Sequence, residues 1–237
     1  MQTIRLDSLR LQPHHRVLDL GCGEGRHALA AHWFGAAQHV VGVDVSQRDV
    51  ATARSRRTDF VQHDPHKHLH IFVSDGLKLP FADGSFDVVI CSEVLEHIPD
   101  YQGMLAEAKR VLKGRGILAI SVPRAWPERI CWWLSRAYHQ VEGGHIRIFQ
   151  AAALRNEIEK LGFRSVLHHG AHALHVPYWW LRCLFWNRGA DFAPVRYYHR
   201  LLVWDLLRQP RLTRILDTVL NPFMGKSVVF YFIKDST

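Results

Sequence analysis

With 237 residues, 48% of them hydrophobic, the chain is long enough for one sizeable core and short enough that one domain with insertions is expected. No stretch approaches the roughly 18 unbroken apolar residues of a spanning helix, and the first residues lack a charged-then-apolar signal pattern. A cytoplasmic protein is therefore expected, free or peripheral on the inner face of a membrane. The net charge of +8 is unevenly placed: residues 1–123 hold 14 Lys+Arg against 14 Asp+Glu, whereas residues 124–237 hold 16 against 8 and also seven of the eight tryptophans.

In chain order, RVLDL at 16–20 reads as a strand that breaks into Gly21, Cys22, Gly23, Glu24 and Gly25, and Arg26–Phe34 as a helix stopped by Gly35. His39–Val43 is a second strand. Ser46, with Asp49 three residues on, caps a helix to about Arg54. The histidines His63, His66, His68 and His70 read as a solvated loop. Ile71–Ser74 and Phe86–Cys91 are further strands. Asp100 caps a helix from Tyr101 to about Leu112, with Met104, Leu105, Ala108 and Val111 on one face and Gly114 as its stop. Gly116–Val122 is a fifth strand. An aromatic-rich segment, Arg124–Phe149, precedes a helix at Gln150–Leu161 and a sixth strand at Phe163–His168. A second long segment, Gly170–Lys226, leads to a last strand at Ser227–Ile233.

Strands alternating with helices predict an α/β, Rossmann-like, doubly wound seven-stranded sheet, mostly parallel with an antiparallel last strand. Its ligands belong at the carboxyl ends of the strands. The division that follows is a core at 1–123, a cap insertion at 124–149, a core helix and strand at 150–170, a basic aromatic cap insertion at 171–226, and the last core strand at 227–237. Both insertions are expected to leave the carboxyl edge and roof the site. Cys22, Cys91, Cys131 and Cys183 are too few and too scattered for a disulfide framework or a CxxC metal site, and are expected to be reduced and mostly buried.

Three glycines at alternate positions allow a tight turn and close approach of the backbone to a ligand, and the following helix offers free N–H groups. Asp44, at the end of the second strand, is placed to accept both ribose hydroxyls of an adenosine. The spacing is GxGxG, not GxGxxG, and Asp19 and Glu24 bring acid to the turn. Carboxylates repel a pyrophosphate but suit a sulfonium and an ammonium.

At this point VLDLGCGEGRH, VVGVDVS, FVSDGLKLPFADGSFDVVICSEVLEHI and RVLKGRGILAISVP resemble the successive motifs of class I S-adenosylmethionine-dependent methyltransferases. The similarity is greatest to the broad type 11 group that includes ubiquinone and menaquinone methyltransferases, over about residues 14–123. The resemblance implies S-adenosylmethionine as cofactor and S-adenosylhomocysteine as product. It places Gly21, Gly23 and Gly25 beneath the methionine part and Asp44 with Val45 at the ribose. Asp75 and Gly76 fall at the adenine edge, Asp19 orients the loop or the amino group, and Ser92 and Glu93 line the donor pocket.

Transfer from a sulfonium is a direct displacement, so a base is needed only where the acceptor loses a proton. His145, in GGHIRIF, and His97 are the candidates, each set against a purely structural role. Glu93, Glu96 and His97 also resemble the ExxEH cluster of metal-assisted ubiquinone O-methyltransferases, but related enzymes carry those letters without metal and none is expected here. The aromatic and basic cap suggests a small hydrophobic or lipid-like acceptor, with O-methylation preferred to C- or N-methylation, and contact with a membrane surface. Leu201, Leu202, Trp204, Asp205, Leu206 and Arg208 allow an amphipathic helix that serves such contact or packs on the core. Two alternatives remain. Nucleic acid is a disfavoured acceptor, since no recognisable module or Asn-Pro-Pro-Tyr-like signature is present, and a non-catalytic adenosylmethionine-binding protein is the other.

Overall fold

The structure, a computed structural model, describes residues 2–57, 66–141 and 143–236. Seven strands form one sheet: β1 (Arg16–Leu20), β2 (His39–Asp44), β3 (His68–Val73), β4 (Phe86–Ser92), β5 (Leu112–Pro123), β6 (Phe163–Ala171) and β7 (Ser227–Lys234). Their order is β3-β2-β1-β4-β5-β7-β6. The first five are mutually parallel, and β7 runs antiparallel to both β5 and β6. β6 therefore points the same way as the first five, and the segments after β5 and β6 both leave at the carboxyl edge, as expected.

The helices of the first half follow the sequence signals closely. α1 (Arg26–Phe34) starts at Gly25, which is left-handed with φ 82°. In α2 (Gln47–Arg56) the Ser46 side chain accepts from Asp49 N–H, and in α3 (Tyr101–Val111) Asp100 accepts from Gly103 N–H. Each cap satisfies an otherwise orphan donor. On one side of the sheet Leu18, Leu20, Val89 and Leu118 pack with α3 through Met104, Leu105 and Ala108; on the other, Val17, Val40, Val88 and Ile90 pack with α1 and α2 through Ala28, Ala31, Val50 and Ala53. Burial on both faces explains the nearly unbroken apolar runs of these strands.

Three boundaries differ from expectation. β3 begins at His68, so His68 and His70 lie in an edge strand and not in a loop; His68 stacks on His39 at 5.1 Å. The alternating exposure of these histidines with buried Leu69 and Ile71 is the strand's period of two, hidden in the sequence by the polar letters. His66 is described just ahead of this strand, and His63 lies outside the described residues. Gly114 does not end α3, which passes directly into β5 at Leu112; the register shift opposite Phe86 and Val88, with Arg115 at φ 62°, places Gly114 in an irregular strand start. β6 continues to Ala171, paired with Ser227.

The insertions are helical. The first holds α4 (Ala125–Leu134) and α5 (Arg136–Gln140); α6 (Ala151–Lys160) follows, and the second insertion holds α7 (His175–Leu184), α8 (Ala193–Arg208) and α9 (Arg211–Met224). All four cysteines are buried, and Cys131 of α4 meets Cys183 of α7 in a cluster with Tyr138. No helix among the described residues is long and apolar enough to cross a membrane.

Candidate functional site

β1 ends in the glycine turn, whose Gly21, Gly23 and Gly25 have φ of 72°, 49° and 82°. Side chains are strained in that region, and a Cβ at Gly21 would also press into Val94. The turn is anchored to the neighbouring strand: Gly21 and Cys22 N–H both donate to the Val43 carbonyl at 2.9 Å. Asp44, the last residue of β2, accepts from Gly23 N–H at 2.7 Å through Oδ2 and from Ser46 N–H at 2.9 Å through Oδ1. The carboxylate is thus held rigidly beside the turn, with lone pairs left for a ligand.

A cavity of about 530 Å³ opens against this turn at the carboxyl edge. Gly21, Gly23, Asp44, Val45, Asp75, Gly76 and Glu93 all line it, as does His97. Asp75 also accepts from Leu77 N–H at 2.9 Å, so it serves its own turn while facing the cavity. A Cβ at Gly76 would meet the end of the Met104 side chain.

The remaining three cofactor-binding candidates lie outside the cavity wall. Asp19 is buried below the turn, where its Oδ2 accepts from Ala28 N–H at 2.8 Å and braces the start of α1. Burial pushes its carboxyl up to about 7 despite that bond. Gly25 packs against Ala53 and Leu29 as the α1 cap. Ser92 Oγ lies 2.8 Å from Ser121 Oγ, which in turn donates to Glu93 Oε1 at 2.7 Å, so the serine supports Glu93 from behind. Glu93 itself is left-handed at φ 57°, a conformation that turns the chain sharply out of β4.

The first insertion reaches this site, but the second does not. Gly143 lines the cavity, whereas no residue of 171–226 does. Ile146 N–H donates to the Glu96 carbonyl at 3.0 Å, and His97 Nδ1 lies 3.2 Å from the Gly144 carbonyl. The roof predicted from two insertions is therefore built by one. The second insertion packs elsewhere, α7 on α4 and α9 on the edge strand β6.

Behind His97 stands a chain of groups. The rings of His97 and His145 are 4.9 Å apart, and His145 Nδ1 is 2.6 Å from Glu128 Oε1. Glu128 is buried in α4 and also accepts from Trp132 Nε1 at 3.1 Å and Tyr138 Oη at 3.4 Å. Burial alone would raise its carboxyl, but the hydrogen bond and charge of His145, with Lys226, hold it below its ordinary value. His97 is pulled below the ordinary histidine value, first by burial and then by His145. Since Nδ1 faces a carbonyl, its proton resides there and Nε2 keeps its lone pair. Glu96 is fully buried with neither oxygen hydrogen-bonded, and burial followed by the Glu93 charge pushes its carboxyl well above the usual range.

Glu128 was not legible as a site residue. It is a single acid inside AWPERICWW, with no spacing that ties it to His145. The ExxEH letters also regroup: ligand-type atoms of Glu96, His97 and His145 lie within 4.8 Å of one another, while Glu93 is engaged with Ser121.

Four carboxylates line the cavity, those of Asp44, Asp49, Asp75 and Glu93, and no Lys or Arg among the described residues does. Such a wall favours a ligand bearing a sulfonium and an ammonium and opposes a pyrophosphate. The residues present therefore fit adenosylmethionine: glycines without side chains at the turn, a carboxylate fixed at the end of β2, and acid around the rest.

Comparison with known proteins agrees. Residues 18–120 match the family described as Methyltransferase domain. The chain is 34% identical over 112 residues to the 27-O-demethylrifamycin SV methyltransferase of Amycolatopsis mediterranei, covering 47% of this chain and 40% of that protein. It is 34% identical over 119 residues to the demethylmenaquinone methyltransferase of Listeria monocytogenes, covering 50% of this chain and 48% of that one. Each match thus spans less than half of the relative. The YcgJ protein of Bacillus subtilis has the same fold, with a TM-score of 0.65 at 21% identity over 98% of this chain and 97% of that one. Fold, glycine turn and acidic wall agree with the match of residues 18–120, less than half of the chain, to the family described as Methyltransferase domain.

Proposed function

We propose that the protein transfers a methyl group from S-adenosylmethionine to a small hydrophobic or lipid-like acceptor, with an oxygen nucleophile preferred, at a membrane surface. The observation that carries the methyl-transfer reading is the cavity of about 530 Å³ whose charged lining is wholly acidic and whose floor is the glycine turn. When bound, the donor supplies an electrophilic methyl group on a positively charged sulfur. The chain's own residues do the rest. Asp44 fixes the ribose end, the turn lets the donor approach the backbone, and the Gly143–Phe149 segment limits water. His97, which lines the cavity, is the base that takes the acceptor's proton through Nε2. Glu128 orients His145, which packs on His97 and positions it.

The membrane part of the reading rests on α9, whose sides are reversed. Thr213 is buried, Asp217 Oδ1 accepts from Leu174 N–H and Asn221 Oδ1 accepts from Ala173 N–H, so the polar side faces the protein. Leu212, Ile215, Val219 and Phe223, at helical spacing, are 68%, 61%, 58% and 72% exposed. Tyr197, Leu201, Trp204 and Leu207 extend this exposure along α8, and Arg196, Arg200, Arg208, Arg211 and Arg214 are exposed on the same two helices. Apolar side chains with basic neighbours suit an anionic bilayer surface. The protein is expected to float with vesicles containing anionic lipid. Ile215→Asp and Phe223→Asp should each weaken that partition by about tenfold or more, since a large apolar side chain contributes roughly 1.5–3 kcal/mol. Retention of all protein in the unbound fraction overturns the membrane part and leaves the donor site untouched.

Calorimetry with S-adenosylhomocysteine, followed by a screen of phenolic and other lipid-like acceptors in vesicles, tests the chemistry. Binding without turnover on any acceptor favours the non-catalytic alternative.

A further inference from the structure

A second cavity, of about 520 Å³, lies at the β6 edge of the sheet between α6 and α9, and its charge is the reverse of the first. Arg5, Arg124, Arg155, His168 and His169 line it, and no Asp or Glu among the described residues does. None of the three arginines forms an ion pair with a described carboxylate. Arg124 donates from Nε to the Gly225 carbonyl at 3.0 Å and from Nη2 to the Asn221 carbonyl at 3.2 Å, which fixes the guanidinium and leaves Nη1 without an acceptor. The Nε of Arg155 is buried and has no hydrogen-bond partner. A buried charged donor left unmet is costly, and a ligand oxygen in this cavity would meet it.

The chain also begins α6 at this cavity. Ala151 and Ala152 line it, and no side chain caps that helix, since Gln150 makes no capping bond. The first N–H groups of α6 therefore add donors and a partial positive charge to those of the arginines. Three guanidinium groups and two imidazoles in one lining match a group that presents several charged oxygens on one centre. A carboxylate offers only two such oxygens.

We propose that this cavity binds the phosphate of a phosphorylated ligand, at a site separate from the methyl-donor cavity. The ligand's phosphate comes either from a lipid headgroup or from a soluble phosphate ester, and both present the same chemistry. The proposal does not depend on membrane contact by the exposed side of α9.

The test uses the full chain at fixed ionic strength. Calorimetric titration with inorganic phosphate is expected to give saturable single-site binding that sodium chloride does not. Arg155→Gln and Arg5→Gln should each raise the dissociation constant about tenfold, the worth of a charge-assisted hydrogen bond. Arg48→Gln, on the exposed side of α2, should not. Arg155→Lys keeps the charge without the fork and should fall between wild type and Arg155→Gln, which separates lost recognition from lost folding. Phosphatidylcholine vesicles containing phosphatidate distinguish the sources. Displacement of inorganic phosphate by the vesicles assigns the cavity to a headgroup, and binding that vesicles leave unaltered assigns it to a soluble ester. Absence of saturable binding for both probes, or equal affinity in wild type, Arg155→Gln and Arg5→Gln, overturns the site.

Discussion

Replacing His97 by alanine is expected to lower kcat for an oxygen acceptor by roughly 10²–10⁴-fold, the usual contribution of a positioned general base. Affinity for S-adenosylhomocysteine should stay near that of the wild type, because Asp44, the carboxylate proposed to hold the ribose, is on another strand. The reason to choose His97 over His145 is placement. His97 lines the cavity, with Nε2 3.9 Å from Glu96 Oε1, whereas His145 does not line it and is committed to Glu128 at 2.6 Å. The pH dependence follows with a definite sign. His97 works as a base when neutral, and burial holds it below the ordinary value of 6.5. Activity should therefore persist as pH falls to 6.5 and decline only below it. Glu128→Gln should lower kcat less than His97→Ala, leave KM for the donor unchanged, and alter the acid limb of the profile. A rate for His97→Ala equal to wild type, measured at saturating donor and acceptor, removes the base from the mechanism.

Asp44→Ala should weaken S-adenosylhomocysteine binding by about 100-fold. Two hydrogen bonds to a charged acceptor are worth roughly 1.5 kcal/mol each or more, and about 3 kcal/mol corresponds to that factor. The substitution also frees Gly23 and Ser46 N–H, both of which donate to this carboxylate, so the turn loses its tie to β2. Asp44→Asn retains an acceptor oxygen and should bind with intermediate affinity. Calorimetry reads all three constants, and an unchanged value for Asp44→Ala refutes the contact.

These expectations were accessible from the sequence because the features behind them are local. A strand that breaks into alternate glycines, and an acid at the end of the next strand, are specified by neighbours within a few residues. The parallel order then brings Gly21, Asp44, Asp75 and Glu93 to one edge without further information. What the letters concealed is long-range. Glu128 is 17 residues from His145 and meets it only after α4 and the loop beyond α5 fold back over the site. Residues 171–226 looked like a second roof because they leave the same edge, but β7 inserts between β5 and β6 and carries them one strand further out. In α9 the periodicity shows two unlike sides without saying which is turned inward, and only Asp217 and Asn221, bonded to the start of α7, reveal that the apolar side is outside. The arginine cavity joins residues 5, 124 and 155, a combination that no spacing rule anticipates.

The position of β7 also governs the order of assembly. It is the last of the seven described strands to be synthesised, yet it is central to one half of the sheet, and β6 has no other pairing partner among the described residues. Until Ser227–Lys234 has been synthesised, the nascent chain presents the bare edge of β5 and a pendant β6. A product cut short before Ser227 should therefore be recovered as aggregate, whereas the pairing of β1 to β5 needs no residue beyond 123.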